Sequence, residues 1–82
     1  MSPTVFKWKG YRFHFFSREE LRRHVHVICA DGEAKFWLDP EIALAKNYHL
    51  SVEQLSEIET VIRERKNELI KIWDSYFSGR SH

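Results

Sequence analysis

The sequence contains one cysteine, two prolines and three glycines in 82 residues, and no apolar run longer than a few residues. A single thiol, Cys29, cannot close an internal disulfide. The short apolar runs exclude a transmembrane helix, which needs about 20 consecutive apolar residues. Thr4 to Trp8 is too short for the apolar segment of a secretory signal, and it is flanked by Lys7 and Lys9. No cofactor motif is present. These absences predict a cytoplasmic protein without a membrane partner. With no internal repeat, low-complexity tract or linker, residues 1–82 read as a single domain.

The material for a core is nevertheless there. Hydrophobic residues make up 43% of the chain, aromatics 15% and charged residues 30%. The formal net charge is only +1, but it is unevenly spread. Residues 1–30 are basic, residues 31–62 acidic, and the remainder mildly basic. A basic N-terminal segment suits an anionic partner; the plainer reading is a solvated surface of mixed charge.

The few glycines and prolines punctuate the chain. Lys9-Gly10 predicts a two-residue turn joining strands Thr4–Trp8 and Tyr11–Phe16, with Trp8 opposite Tyr11, Phe6 opposite Phe13 and Thr4 opposite Phe15. Ser17-Arg-Glu-Glu20 has the form of a capping box, but with only Leu21 as an apolar residue it predicts a helical turn or polar loop. Asp31-Gly32 predicts a second hairpin, pairing His24–Ala30 with Glu33–Leu38 so that Cys29 faces Ala34, Val27 faces Phe36 and His26 faces Trp37. Alternation then separates an apolar face, Val25, Val27, Cys29, Ala34, Phe36 and Leu38, from a face with His24, His26, Ile28, Lys35 and Trp37. Asp39-Pro40 ends the strand. Residues 41–45 suit a short edge strand somewhat better than a helical turn, and residues 46–50 read as loop.

Ser51 and Gln54 form a capping box, with Leu50 and Leu55 at the positions of a hydrophobic staple. Leu55, Ile58, Ile62, Leu69, Trp73 and Phe77 then mark one helical stripe, and Gly79 is placed as its C-terminal stop. One helix from Val52 to Ser78 would be roughly 40 Å long. Its last turns, with Trp73, Tyr76 and Phe77, would overhang a short sheet and offer an interface for a partner or a second copy, unless they join the core. The predicted fold is α+β: an antiparallel sheet of four or five strands, with one long C-terminal helix on one face and the other face open.

That open face is where chemistry is sought, because Arg12, His14, His24, His26, Lys35 and Trp37 would share it. As a nucleic-acid surface, Arg12, Arg22, Arg23 and Lys35 would meet phosphates, and Trp37 or Phe16 would stack an unpaired base. As a metal-independent endoribonuclease, His24 and His26 would serve as acid and base, with Lys35 or Arg12 beside the developing negative charge. A zinc site on His14, His24 and His26 is a weaker reading, since no HExxH or paired-cysteine motif supports it. The plainest reading makes the histidines ordinary strand residues beside Trp37, and the protein a structural or dimerisation module. Cys29, lying among valines, reads as a small core residue.

Residues Thr4 to Phe16, His24-Val-His-Val27, Glu33-Ala-Lys-Phe-Trp-Leu38, the Leu50-Ser51 helix start and Trp73 resemble a small bacterial family catalogued as domain of unknown function 4160. Where its members often carry a proline before the first histidine, this chain has Arg22-Arg23. Members are often encoded beside another small protein, an arrangement that resembles a toxin–antitoxin pair. The resemblance thus implies a cognate protein partner from a neighbouring gene and makes RNA a plausible target. It supplies no catalytic residue.

Overall fold

Alternating aromatic and β-branched residues build the N-terminal half. The computed structural model describes residues 4–15 and 22–78, within which the chain forms five strands followed by two helices. The strands are β1 (Thr4–Trp8), β2 (Tyr11–His14), β3 (His24–Cys29), β4 (Gly32–Trp37) and β5 (Ala43–Tyr48). They form one antiparallel meander in the order β1-β2-β3-β4-β5. The predicted Ser17–Glu20 capping box, Phe16 and the Gly79 stop lie outside the described residues.

The first turn forms as predicted. Lys9 and Gly10 both have positive φ, 49° and 80°, as a two-residue hairpin loop matched to strand twist requires. Trp8 pairs with Tyr11 and Phe6 with Phe13. Thr4 pairs with His14 rather than Phe15, because Val5 is an extra residue in a bulge.

The second hairpin is displaced from its predicted register. Cys29 pairs with Gly32, Val27 with Ala34 and His26 with Lys35, so the connecting residues are Ala30 and Asp31. Gly32 is drawn into the ladder by β5: a Cβ there would stand only 1.9 Å from the Tyr48 carbonyl oxygen, so only glycine admits that approach. The displacement is two residues. An even shift leaves every side chain on its predicted face.

The fifth strand is confirmed, but it runs to Tyr48, into the segment expected to be loop. Its pairing with β4 also contains an extra residue, Ala45. Both edge strands therefore carry a bulge, and each also carries a lysine: Lys7 on β1 and Lys46 on β5.

The expected single C-terminal helix is two: α1 (Val52–Glu64) and α2 (Lys66–Ser78). Ser51 caps α1 with both hydrogen bonds of the box in place. Arg65 interrupts the helix with φ −112° and ψ 16°, and its N–H is shared between the carbonyls of Val61 and Ile62. The reason is visible in the stripe. Arg63 to Glu68 is a run of six polar residues, so one turn has no apolar side chain to bury against the sheet and meets it through the Arg65 guanidinium, 4.5 Å from the Phe6 ring centre.

On either side of that turn the stripe packs. Ile58, Val61, Ile62, Leu69 and Trp73 are buried with Tyr11, Phe13, Phe15, Val25, Val27, Phe36 and Leu38, while Phe6, Trp8 and Cys29 are partly buried against them. Trp73 does not overhang. It meets Phe15 edge-on at 5.1 Å and Phe77 at 4.2 Å, and belongs to the core of this chain. Tyr76 and Phe77 are half-buried.

Candidate functional site

Pairing across the meander fixes which side chains share the face away from α1. One row runs Lys7, Arg12, Ile28, Glu33, Tyr48; the next runs His14, His26, Lys35, Lys46; a third holds His24, Trp37 and Ala43. Directly paired residues point to the same side of a sheet. Arg12, His14, His24, His26, Lys35 and Trp37 are therefore brought to one face, as the alternation predicts.

Exposure divides them. His14, His24, His26 and Lys35 are 3%, 0%, 8% and 7% exposed, so the expectation of an open histidine surface is corrected at these four positions. The rings lie against one another. His26 lies 5.7 Å from His14 and 5.1 Å from His24, and His24 meets Trp37 at 5.7 Å and Trp73 at 5.0 Å. Trp37 in turn is covered by the Lys35 ammonium at 4.5 Å and the Arg22 guanidinium at 4.2 Å from its ring centre. Such contacts are worth about 0.5–1 kcal/mol when exposed and about 2 kcal/mol when desolvated.

His24 Nδ1 lies 2.7 Å from the Arg22 carbonyl oxygen. A carbonyl can only accept, so Nδ1 carries the proton. With no surface of its own, His24 is not placed to reach a substrate proton. Burial pushes the His14 imidazole below its ordinary value of 6.5, and the adjacent Arg12 charge pushes it further; Glu33 opposes them weakly. Among the described residues, no group of three or more His, Cys, Asp or Glu side chains stands where it could hold a metal ion.

The two arginines before β3 have different surroundings. Arg23 donates to Asp39 Oδ2 at 2.7 Å and to Asp74 Oδ1 at 2.8 Å, which raises its pKa further and ties β3 to the end of β4 and to α2. Its charge is compensated within the chain. Arg22 donates from Nε to the Asp39 carbonyl and lies exposed over Trp37.

Among the described residues, the exposed side chains on and beside this face are Lys7, Arg12, Arg22, Glu33, Lys46 and Tyr48, the last 51% exposed, next to half-buried Trp37. Among the described residues no carboxylate pairs with Lys7, Arg12 or Lys46. Lys7, Lys46 and Tyr48 were not anticipated as site residues. The signal that would have found Lys46 and Tyr48 is their two-residue spacing, which the extra Ala45 hides by putting Leu44, opposite Phe36, on the other face.

No helix among the described residues is long and apolar enough to cross a membrane. No curated protein and no solved structure matches the chain. The family described as domain of unknown function (DUF4160) matches residues 10–74, which span the sheet from its first turn to α2. That is most of the chain, which therefore belongs to this family of unknown function.

Proposed function

We propose that the protein is a small interaction protein that contacts single-stranded RNA through the sheet face away from α1 and acts with a cognate protein, as one component of a toxin–antitoxin-like pair. The observation that carries this reading is the surface of Lys7, Arg12, Arg22 and Lys46, interleaved with Tyr48 and Trp37 and holding Glu33 as its exposed acid. Cations spaced over a sheet meet phosphates, and flat aromatic rings stack unpaired bases. The buried histidines serve as the platform beneath it, orienting Trp37 through His24.

Fluorescence anisotropy with an unstructured RNA tests this directly. Binding is expected to weaken with salt, with a logarithmic slope near −2 to −3 if three or four phosphates are contacted, each contributing about −0.7. Tyr48→Ala and Arg12→Ala each lower affinity, and Lys46→Ala reduces the slope by roughly one phosphate's share. Salt-independent binding, or full affinity in all three variants, would sink the proposal. Co-expression with the neighbouring gene product examines the second half: a toxin–antitoxin pair requires that the partner change the growth effect of this protein.

A further inference from the structure

At one end of the sheet the two hairpins part. Pairing between β2 and β3 stops at Arg12 and Ile28, whereas β1–β2 continues to Trp8 and Tyr11, and β3–β4 continues to Cys29 and Gly32. A hollow of about 460 Å³ lies between the tips, with Lys7, Lys9 and Arg12 on one side and Ile28 and Cys29 on the other. Ligand sites commonly fall between about 300 and 1,000 Å³.

The charges around it are unusual for a surface that serves only the fold. Lys7 and Arg12 are directly opposed across the hairpin. Like charges in that position destabilise a strand pair. Lys9 is held by Glu57 at 3.7 Å, but no carboxylate among the described residues pairs with Lys7 or Arg12. Two adjacent, exposed cations at the mouth of a concavity, with no carboxylate partner among the described residues, match an anion carrying close to two charges.

We infer that this hollow seats the terminal phosphate of a nucleic-acid strand, held between Lys7 and Arg12. The inference rests on the reading of the sheet face as an RNA surface. A phosphate monoester carries roughly −1.5 to −2 at neutral pH, which matches the cation pair better than the single charge of an internal diester. Guanidinium and ammonium together provide charge-assisted hydrogen bonds to its oxygens. From the hollow, a strand can continue over the exposed Tyr48 and Lys46, placed on the same two rows of the sheet.

The test compares decauridylates bearing a 5′-phosphate, a 3′-phosphate or neither, by anisotropy with the full chain. One phosphorylated strand is expected to bind roughly tenfold more tightly than the strand with two hydroxyl ends, the scale of one good charged contact. That preference should vanish in Lys7→Gln and Arg12→Gln and persist in Lys46→Gln. Circular dichroism of the exposed-site variants confirms that they fold. Equal binding of all three strands, or a preference that survives both Lys7→Gln and Arg12→Gln, overturns the inference while leaving the RNA surface intact. Failure of every strand to bind overturns both.

Discussion

On the helix-covered face of the sheet, Phe13, Val25, Val27 and Phe36 are removed from water by the stripe of Ile58, Ile62 and Leu69. On the other face His14, His24, His26 and Lys35 are removed from it almost as completely, though the helix contact named there is Trp73 arriving at His24. The first kind of burial follows from the hydrophobic effect on apolar area. The second brings together rings in tilted and edge-on contact and cations over the Trp37 ring, with each polar group requiring a compensating interaction. A core of the first kind tolerates a change of one methyl at modest cost. A layer of the second kind ties stability to protonation and to the position of each ring.

Substitutions can break that comparison, beginning with the largest effect. Phe13→Ala should cost about 3–5 kcal/mol in urea denaturation, the usual loss for a large buried aromatic. Trp37→Ala, which removes the ring contacted by Arg22, Lys35 and His24, should cost about 1–2 kcal/mol. Equal losses would show that the two faces are stabilised alike.

Acidification sharpens the contrast further. Because the folded chain holds the His14 pKa below 6.5, the unfolded chain binds more protons once pH falls beneath that value. Stability should be complete above about pH 6.5 and decline as pH drops through it towards the lowered folded value. Thermal denaturation across pH 5–8 reads this slope, and His14→Gln should flatten it. Tyr11, on the helix-covered face, supplies the opposite limit. Burial and its hydrogen bond to Glu57 raise its pKa above 10, so its contribution is present below pH 10 and lost as pH rises through it. The smallest expected effect is that of Lys46→Ala, within about 0.5 kcal/mol in stability, as for an exposed residue outside any network. A larger loss would mean that the basic surface supports the fold.

The face assignment was legible because strand alternation survives an error of register. The β3–β4 pairing differs from expectation by two residues, yet His24, His26, Lys35 and Trp37 still share a side. What could not be read was burial on that side. Alternation distinguishes the two faces but does not reveal that His26 packs between His14 and His24, since His14 belongs to a different hairpin. The break at Arg65 was obscured for a related reason. Arginine, lysine and glutamate favour helix well enough that propensity gives no warning, and only the missing apolar turn between Ile62 and Leu69 marks it. The Gly32 displacement required β5, whose carbonyl at Tyr48 sets the local spacing.

The paired bulges and lysines on β1 and β5 have a consequence for the protein in bulk. A five-stranded meander has two rims, and a flat apolar rim would recruit strands from other copies. Here Val5 and Ala45 each disturb the regular spacing that such recruitment needs, and Lys7 and Lys46 place like charges where two copies would meet. The chain can thus accumulate without growing into ribbons. Under the proposed reading a partner gains little by extending the sheet sideways, and contact is expected on the basic face instead.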